Sequence, residues 1–287
     1  MYNRKLTALT SVLALAFTLS ATSCGKKPSS APAPSAEAPA PAGEKTEAAP
    51  AAPAAPAAGT GSIKGKVSFS GTAPEMPALK READPFCAKT PMKDEEVVVN
   101  SNGTLKNVAL TVQGAPAAVP EGAAHTEIDQ ANCMYTPRVV TAAYEQDVKI
   151  VNSDPILHNV HTYADAKTLF NRAQPKGSPA IDKKFTKDDG AVVKFKCDVH
   201  PWMTGWLILN DNGLNAVTGD SGEFEIKNVP AGTYKIQAWH EKYGPKTVDV
   251  TVEADKAAEA NFTFDGTEKA AYNFKEVEIA FGHDHSH

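Results

Sequence analysis

From residue 61 onward, apolar and polar positions alternate in short runs. In Gly61-Ser62-Ile63-Lys64-Gly65-Lys66-Val67-Ser68-Phe69, the side chains of Ile63, Val67 and Phe69 fall on one face of an extended strand. Further strand-like runs cover 96–99 and 105–112, divided by the turn residues Asn102-Gly103, and others continue over 136–151. Within the last of these, Pro137 precedes Val139-Val140-Thr141, and Asp147-Val148-Lys149-Ile150-Val151-Asn152 alternates. Val192-Val193-Lys194-Phe195-Lys196 runs directly into a cysteine, and Trp206-Leu207-Ile208-Leu209 ends at the turn Asn210-Asp211-Asn212-Gly213. Residues 164–190 are polar and turn-rich, and read as a surface excursion. Short strands divided by turn residues, with few helical patterns, predict an all-β protein of β-sandwich architecture.

The first 60 residues follow a different pattern. Asn3-Arg4-Lys5 is basic, residues 6–19 are apolar, and Ala21-Thr22-Ser23-Cys24 ends a small-residue site in cysteine. The apolar run is too short to favour a spanning helix. The site resembles a bacterial lipobox, although Ala21 stands where leucine is more usual. Residues 1–23 are therefore expected to be a lipoprotein signal peptide and Cys24 the lipidated first residue, whose acyl chains would anchor the protein stably. Gly25 rather than aspartate follows, which in a Gram-negative envelope suggests the outer membrane, facing the periplasm. Residues 24–60 are rich in Ala and Pro and bury too little apolar surface to fold, so a disordered tether is expected. Extended at about 3.1 Å per residue, such a tether reaches on the order of 100 Å.

Composition narrows the function classes. The chain has 287 residues and a formal net charge of −5, and lacks the basic footprint of a nucleic-acid binder. Its length allows about two small domains. No nucleophile–base–acid set, phosphate loop or motif-bearing carboxylate pair is present, so neither an enzyme nor a small-molecule substrate is expected.

Candidate chemistry lies in Cys197-Asp198-Val199-His200-Pro201-Trp202-Met203. A thiolate, an imidazole and a thioether share one tight loop after a strand, and upstream Ser153-Asp154-Pro155-Ile156-Leu157-His158-Asn159-Val160-His161 supplies a second imidazole. Copper suits this set: thiolate and thioether stabilise Cu(I), and imidazole serves both oxidation states. Structural zinc sites usually pair Cys or His without methionine.

These two motifs, in this order, resemble the ligand segments of the cupredoxins over roughly residues 105–212. The resemblance implies a Greek-key β-sandwich holding one type 1 (blue) copper, with His158, Cys197 and His200 as strong ligands and Met203 as the weak axial one. It also implies that Asn159 hydrogen-bonds across to the cysteine loop. His161 is left between an exposed neighbour, an alternative ligand and a solvated residue. Trp202, beside His200, is expected in an apolar patch where a redox partner docks, and Trp206 in the core.

With Cys24 assigned to lipid and Cys197 to metal, Cys87 and Cys133 remain. In an oxidising compartment a disulfide between them is the default, and two separate thiols the alternative.

Asp220-Ser221-Gly222-Glu223-Phe224 followed by Pro230-Ala231-Gly232-Thr233-Tyr234 resembles the carboxypeptidase regulatory-like family, a smaller, non-catalytic, immunoglobulin-like sandwich. Residues 213–265 supply only about five strands, short of the usual seven. The Gly-x-Ile-x-Gly-x-Val run at 61–70, ahead of the remaining N-terminal strands up to 104, resembles that module's opening strand and is expected to pair with it. His240 is expected to pack at the domain junction. The tail at 266–287 ends Phe281-Gly282-His283-Asp284-His285-Ser286-His287, a frayed polar terminus with a composition that binds metal loosely.

The leading functional expectation is a lipid-anchored single-electron carrier in the cell envelope, exchanging electrons with a protein such as a cytochrome or oxidoreductase. The alternatives are copper storage or delivery, or a non-redox interaction module.

Overall fold

The computed structural model describes residues 59–116 and 125–270. The signal-peptide reading over 1–23, the lipidation of Cys24, the tether up to residue 58 and the tail beyond residue 270 lie outside them. Among the described residues there are strands and two short 3-10 turns but no α-helix.

The chain begins in one sandwich, leaves it for another, and returns. β1 (Thr60–Phe69) and β2 (Ala109–Gln113) come first. A second sandwich follows, with β3 (Thr126–Ala131), β4 (Met134–Thr136), β5 (Val139–Ala143), β6 (Val148–Asn152) and β7 (His158–Ala164). It continues through β8 (Lys167–Gln174), β9 (Ile181–Lys183), β10 (Val192–Lys196) and β11 (Thr204–Asn210). The first sandwich resumes with β12 (Asn215–Val217), β13 (Glu223–Pro230), β14 (Gly232–His240), β15 (Gly244–Val252), β16 (Ala257–Glu259) and β17 (Phe262–Phe264).

In the outer sandwich, β1 pairs antiparallel with β13 and parallel with β16 and β17, and the facing sheet runs β12-β2-β14-β15. The inserted sandwich packs β5-β11-β10-β7-β8 against β4-β3-β6-β9. Each sandwich has its own core. Ile63, Val67, Leu105, Leu110, Ile236 and Phe264 are wholly buried in the outer one, and Ile128, Ile150, Val160, Phe185, Phe195 and Leu207 in the inserted one. Burying each such side chain contributes about 1.5–3 kcal/mol.

Four expectations change. The run at 105–112 does not belong to the ligand-bearing sandwich: β2 pairs with β14 and β12, so that sandwich starts at β3. The outer module thus draws two early strands, not one. Residues 96–99 form no strand, only an isolated bridge between Val99 and Leu105. The stretch 164–190 is not an excursion, since β8 pairs along the whole of β7, β9 pairs with β6, and Phe185 is wholly buried. β8 is an edge strand with mostly exposed side chains, and a charged edge discourages further strand addition, so its sequence reads like a loop.

Candidate metal centre

The sheet order brings the candidate ligands to one end. β10 lies between β7 and β11, with Lys196 opposite both His161 and Thr204. His158 opens β7, Cys197 follows β10, and Met203 precedes β11. Crossing strands at this register puts all three at the same edge, and the turn between Cys197 and Met203, closed by the Met203 N–H donating to the His200 carbonyl at 2.9 Å, brings in His200.

The donor atoms converge. His158 Nδ1 and His200 Nδ1 are 2.9 Å apart, and Cys197 Sγ is 3.9 Å from the first and 3.7 Å from the second. These distances suit donors sharing one ion with bonds of about 2.0–2.3 Å. All three residues are buried, and Met203 is wholly buried in the same core cluster as Cys197. Cys197 is the free cysteine among the described residues, because Cys87 and Cys133 form a disulfide with Cα atoms 5.7 Å apart.

Around the donors runs a hydrogen-bonded frame. The Asn159 N–H donates to Cys197 Sγ at 3.4 Å, tying the start of the histidine strand to the cysteine. The Asn159 side chain accepts the Asp198 N–H and donates to Asp198 Oδ2 at 3.0 Å, bridging the histidine strand to the cysteine loop. The Tyr135 hydroxyl lies 2.9 Å from the Asn159 carbonyl and 3.0 Å from that of Lys196, within reach of both ligand strands.

His161 is neither exposed nor solvated. It is buried, with Nδ1 2.9 Å from Asp198 Oδ1, Nε2 3.0 Å from the Thr168 hydroxyl and the Tyr163 hydroxyl 2.7 Å from Nδ1. Both ring nitrogens are committed to that network, and the converging cluster is formed without them.

Two carboxylates with no assigned role in the sequence face the backs of the candidate ligand imidazoles. Asp154 Oδ2 is 2.8 Å from His158 Nε2, the carboxylate–histidine pairing that fixes tautomer and ring orientation in metal sites. Asp84 Oδ2 is 3.6 Å from His200 Nε2, an ion-pair distance. Burial works against the Asp154 carboxylate, but the His158 ring and the N–H groups of Cys133 and Asn132 outweigh it and hold its pKa below the usual range. Burial likewise opposes protonation of His158, yet Asp154 and Cys197 push its pKa up to about 9. Burial and the neighbouring His158 lower the pKa of His200, with Asp84 acting in the other direction. Asp154 lies four residues before His158 in the same stretch, a signal by which it could have been singled out although it was given no role. Asp84 is far away in sequence and has no local signal.

Trp202 is only half-exposed, with its indole N–H donating to the Cys133 carbonyl at 3.0 Å and its ring 5.2 Å from that of His200. The exposed apolar side chains near His200 are Leu157 and Val199, 46% and 49% accessible, which line a depression with Ala83, Asp84 and His200. Trp206 is buried, 5.3 Å from Trp239 of the outer sandwich. His240 is wholly buried in the outer sandwich against Tyr243, and its Nδ1 accepts the Lys242 N–H at 3.2 Å.

Residues 208–265 match the family model described as the carboxypeptidase regulatory-like domain. That span holds β12 to β17, and β1 and β2 complete the outer sandwich from outside it. Among solved structures, the chain is similar to a purple cupredoxin from Nitrosopumilus maritimus at 21% identity, covering 30% of this chain and 99% of that one, with a TM-score of 0.26. It is also similar to a Cu(I) form of an amicyanin mutant at 22% identity, covering 35% and 98%, TM-score 0.26. A reduced amicyanin mutant gives 22%, 35%, 98% and 0.28 in the same terms. A search of curated proteins finds no match.

Chemically, two imidazoles, a thiolate and a buried thioether fit a single first-row ion of soft to borderline character. The convergence of the two Nδ1 atoms and the Sγ, with each Nε2 turned outward to a carboxylate, is the observation in favour of a metal.

Proposed function

We propose that the protein carries single electrons through one type 1 copper held by His158, Cys197, His200 and Met203, and that it is anchored by an N-terminal lipid to the outer membrane, facing the periplasm. The observation that carries this reading is the convergence of two Nδ1 atoms and one Sγ in a buried pocket. Bound there, copper supplies a Cu(II)/Cu(I) couple.

The chain's own residues supply rigidity. Asn159, Tyr135 and Asp154 hold the ligand segments by hydrogen bonds that need no metal. A frame of this kind suits electron transfer, which wants ligands that move little, better than delivery, which wants ligands that open. A redox partner such as a cytochrome or oxidoreductase would meet His200 through the exposed Leu157 and Val199, with Trp202 behind them. The outer sandwich bears no chemistry of its own in this reading and serves as a frame.

The test is Cu(II) added to the purified full chain. An intense visible thiolate-to-copper band is expected, and Cys197→Ser removes it; a colourless Cu(II) complex overturns the type 1 assignment. Voltammetry in the presence of a strong Cu(I) chelator then separates the uses. Reversible one-electron cycling without copper loss supports a carrier. Stripping of the reduced protein within a few turnovers replaces that reading with copper delivery.

A further inference from the structure

The disulfide touches the candidate centre along three routes. The Cys133 N–H donates to Asp154 Oδ2 at 2.7 Å, and that oxygen is the one 2.8 Å from His158 Nε2. The Cys133 carbonyl accepts the Trp202 indole N–H at 3.0 Å, and the Trp202 ring stands against His200. On the other side of the S–S bond, the Cys87 N–H donates to Asp84 Oδ1 at 3.2 Å, Phe86 N–H does so at 2.7 Å, and Asp84 Oδ2 faces His200 Nε2 at 3.6 Å.

Both half-cystines are buried in the core of the ligand-bearing sandwich. The segment around Cys87 contributes no strand to either of its sheets, so it is held by tertiary contacts. Besides the S–S bond, the buried Arg81 laces it down, donating to the Thr90 carbonyl at 2.7 Å and to the Asn132 carbonyl beside Cys133. Because the two Nδ1 atoms face each other, ring orientation is set from behind, at the Nε2 atoms. Asp154 sits on the loop before β7 and reaches His158 from its own segment. His200 has no such local support, and the carboxylate behind it comes from the cross-linked segment.

We infer that the Cys87–Cys133 disulfide is a positioning element of the metal centre, and that it acts by holding Asp84 behind His200, with Asp84 as the positioning residue. The inference rests on the reading of the centre as a copper site. Asp84 also forms part of the wall around His200, next to the exposed Leu157 and Val199. It therefore restrains the ligand nearest the surface, the one through which a reduced ion would leave.

The test uses four full-chain proteins loaded with copper: wild type, Asp84→Ala, Cys87→Ala/Cys133→Ala, and the triple variant. Two readouts are taken, the electron paramagnetic resonance spectrum of the Cu(II) form and the rate of Cu(I) transfer to a chelator. Loss of a partner behind a ligating histidine typically weakens metal binding about 10–100-fold. Asp84→Ala should alter the copper hyperfine pattern and speed Cu(I) loss by about tenfold or more. The double cysteine variant should do the same, and the triple variant should be no faster than the double, because both changes remove one support.

An unchanged spectrum and rate in Asp84→Ala overturns the inference, as do effects of Asp84 and the cysteines that add in the triple variant. Should the cysteine variants not fold, the Asp84→Ala comparison decides alone, since Asp84 lies outside the core. A wild-type protein that takes up no copper fails at an earlier step and overturns the site reading along with the inference, whereas a normal wild-type band with an inert Asp84 overturns only the latter.

Discussion

Asn159 and Asp84 mark the two limits of what single residues disclose. Asn159 directly follows the candidate ligand His158, so its hydrogen bonds to Asp198 across the cysteine loop are local consequences of β7 lying beside β10. Asp84 reaches His200 from a segment cross-linked over 46 residues and also tied down by Arg81, and no pattern near either residue foretells it. His161 shows the opposite error: three residues past the candidate ligand His158 it is expected from the sequence to be exposed, solvated or an alternative ligand, but Asp198, Thr168 and Tyr163 surround it. His240 yields a prediction at this scale. Burial first, then the charges of Arg138 and Lys242, lower its pKa from 6.5 to about 3. The folded protein thus keeps the ring neutral while the unfolded chain takes up a proton below about pH 6.5. Its contribution is complete above that pH and is lost as pH falls toward 3, by up to about 5 kcal/mol. His240→Phe retains a ring against Tyr243 and removes the proton. Urea unfolding at pH 7, 5 and 4 should show a shallower acid loss in the variant than in wild type, and equal slopes would refute the assignment.

At the scale of the element, the alternating strands were legible and the polar or interrupted ones were not. β1, β5, β6, β10 and β11 announce themselves because each buries alternate or continuous apolar positions. β8 buries almost nothing, so periodicity had nothing to report. β2 was visible as a strand, but its four consecutive buried residues fit an internal strand of either sandwich; only pairing with β14 decides. β1 carries a finer signal in its glycines. A Cβ on Gly65 would lie 1.7 Å from the Ala260 carbonyl oxygen, where the Ala260 N–H donates to Lys64 at 2.9 Å. The chain between β16 and β17 crosses β1 too closely for any side chain. Gly65→Ala should therefore destabilise the protein by about 3 kcal/mol, toward the upper end for overpacked sites. Gly219→Ala, with open space around its Cβ and no left-handed backbone, is the control and should change little. Thermal melts of the two variants check the difference, and equal melting temperatures would show that the crossing tolerates a methyl group.

For the whole molecule, the inserted topology means the chain passes between the sandwiches twice, after β2 and before β12, and the two share a third apolar cluster. Ala109 and Trp239 from the outer sandwich meet Val139, Val192, Trp206 and Ile208 from the inserted one. Beside this cluster, the Arg138 guanidinium donates to both Glu241 oxygens, at 2.5 and 2.9 Å, and the Trp206 indole N–H donates to Glu241 at 2.9 Å. Trp206 lies on β11, three residues past Met203, so the junction grips the strand that leaves the metal loop. Removing the Glu241 carboxylate leaves a nearly inaccessible arginine with Asp94, 3.4 Å away, as its remaining ion-pair partner and Glu95 farther off. Breaking a buried pair from one side costs about 3–5 kcal/mol, whereas replacing both partners by apolar residues is often close to neutral. Glu241→Ala should lose that amount, and Arg138→Met/Glu241→Met should recover most of it. If the junction couples the sandwiches, the loss is shared. In copper-loaded protein carrying Trp202→Phe as background, the visible band reports the inserted sandwich and the fluorescence of the remaining Trp206 and Trp239 reports the junction. The two melting curves should coincide in that background and move down together with Glu241→Ala. A visible band that persists after the fluorescence transition would mean that the inserted sandwich stands alone, and that the outer one is a passenger rather than a frame.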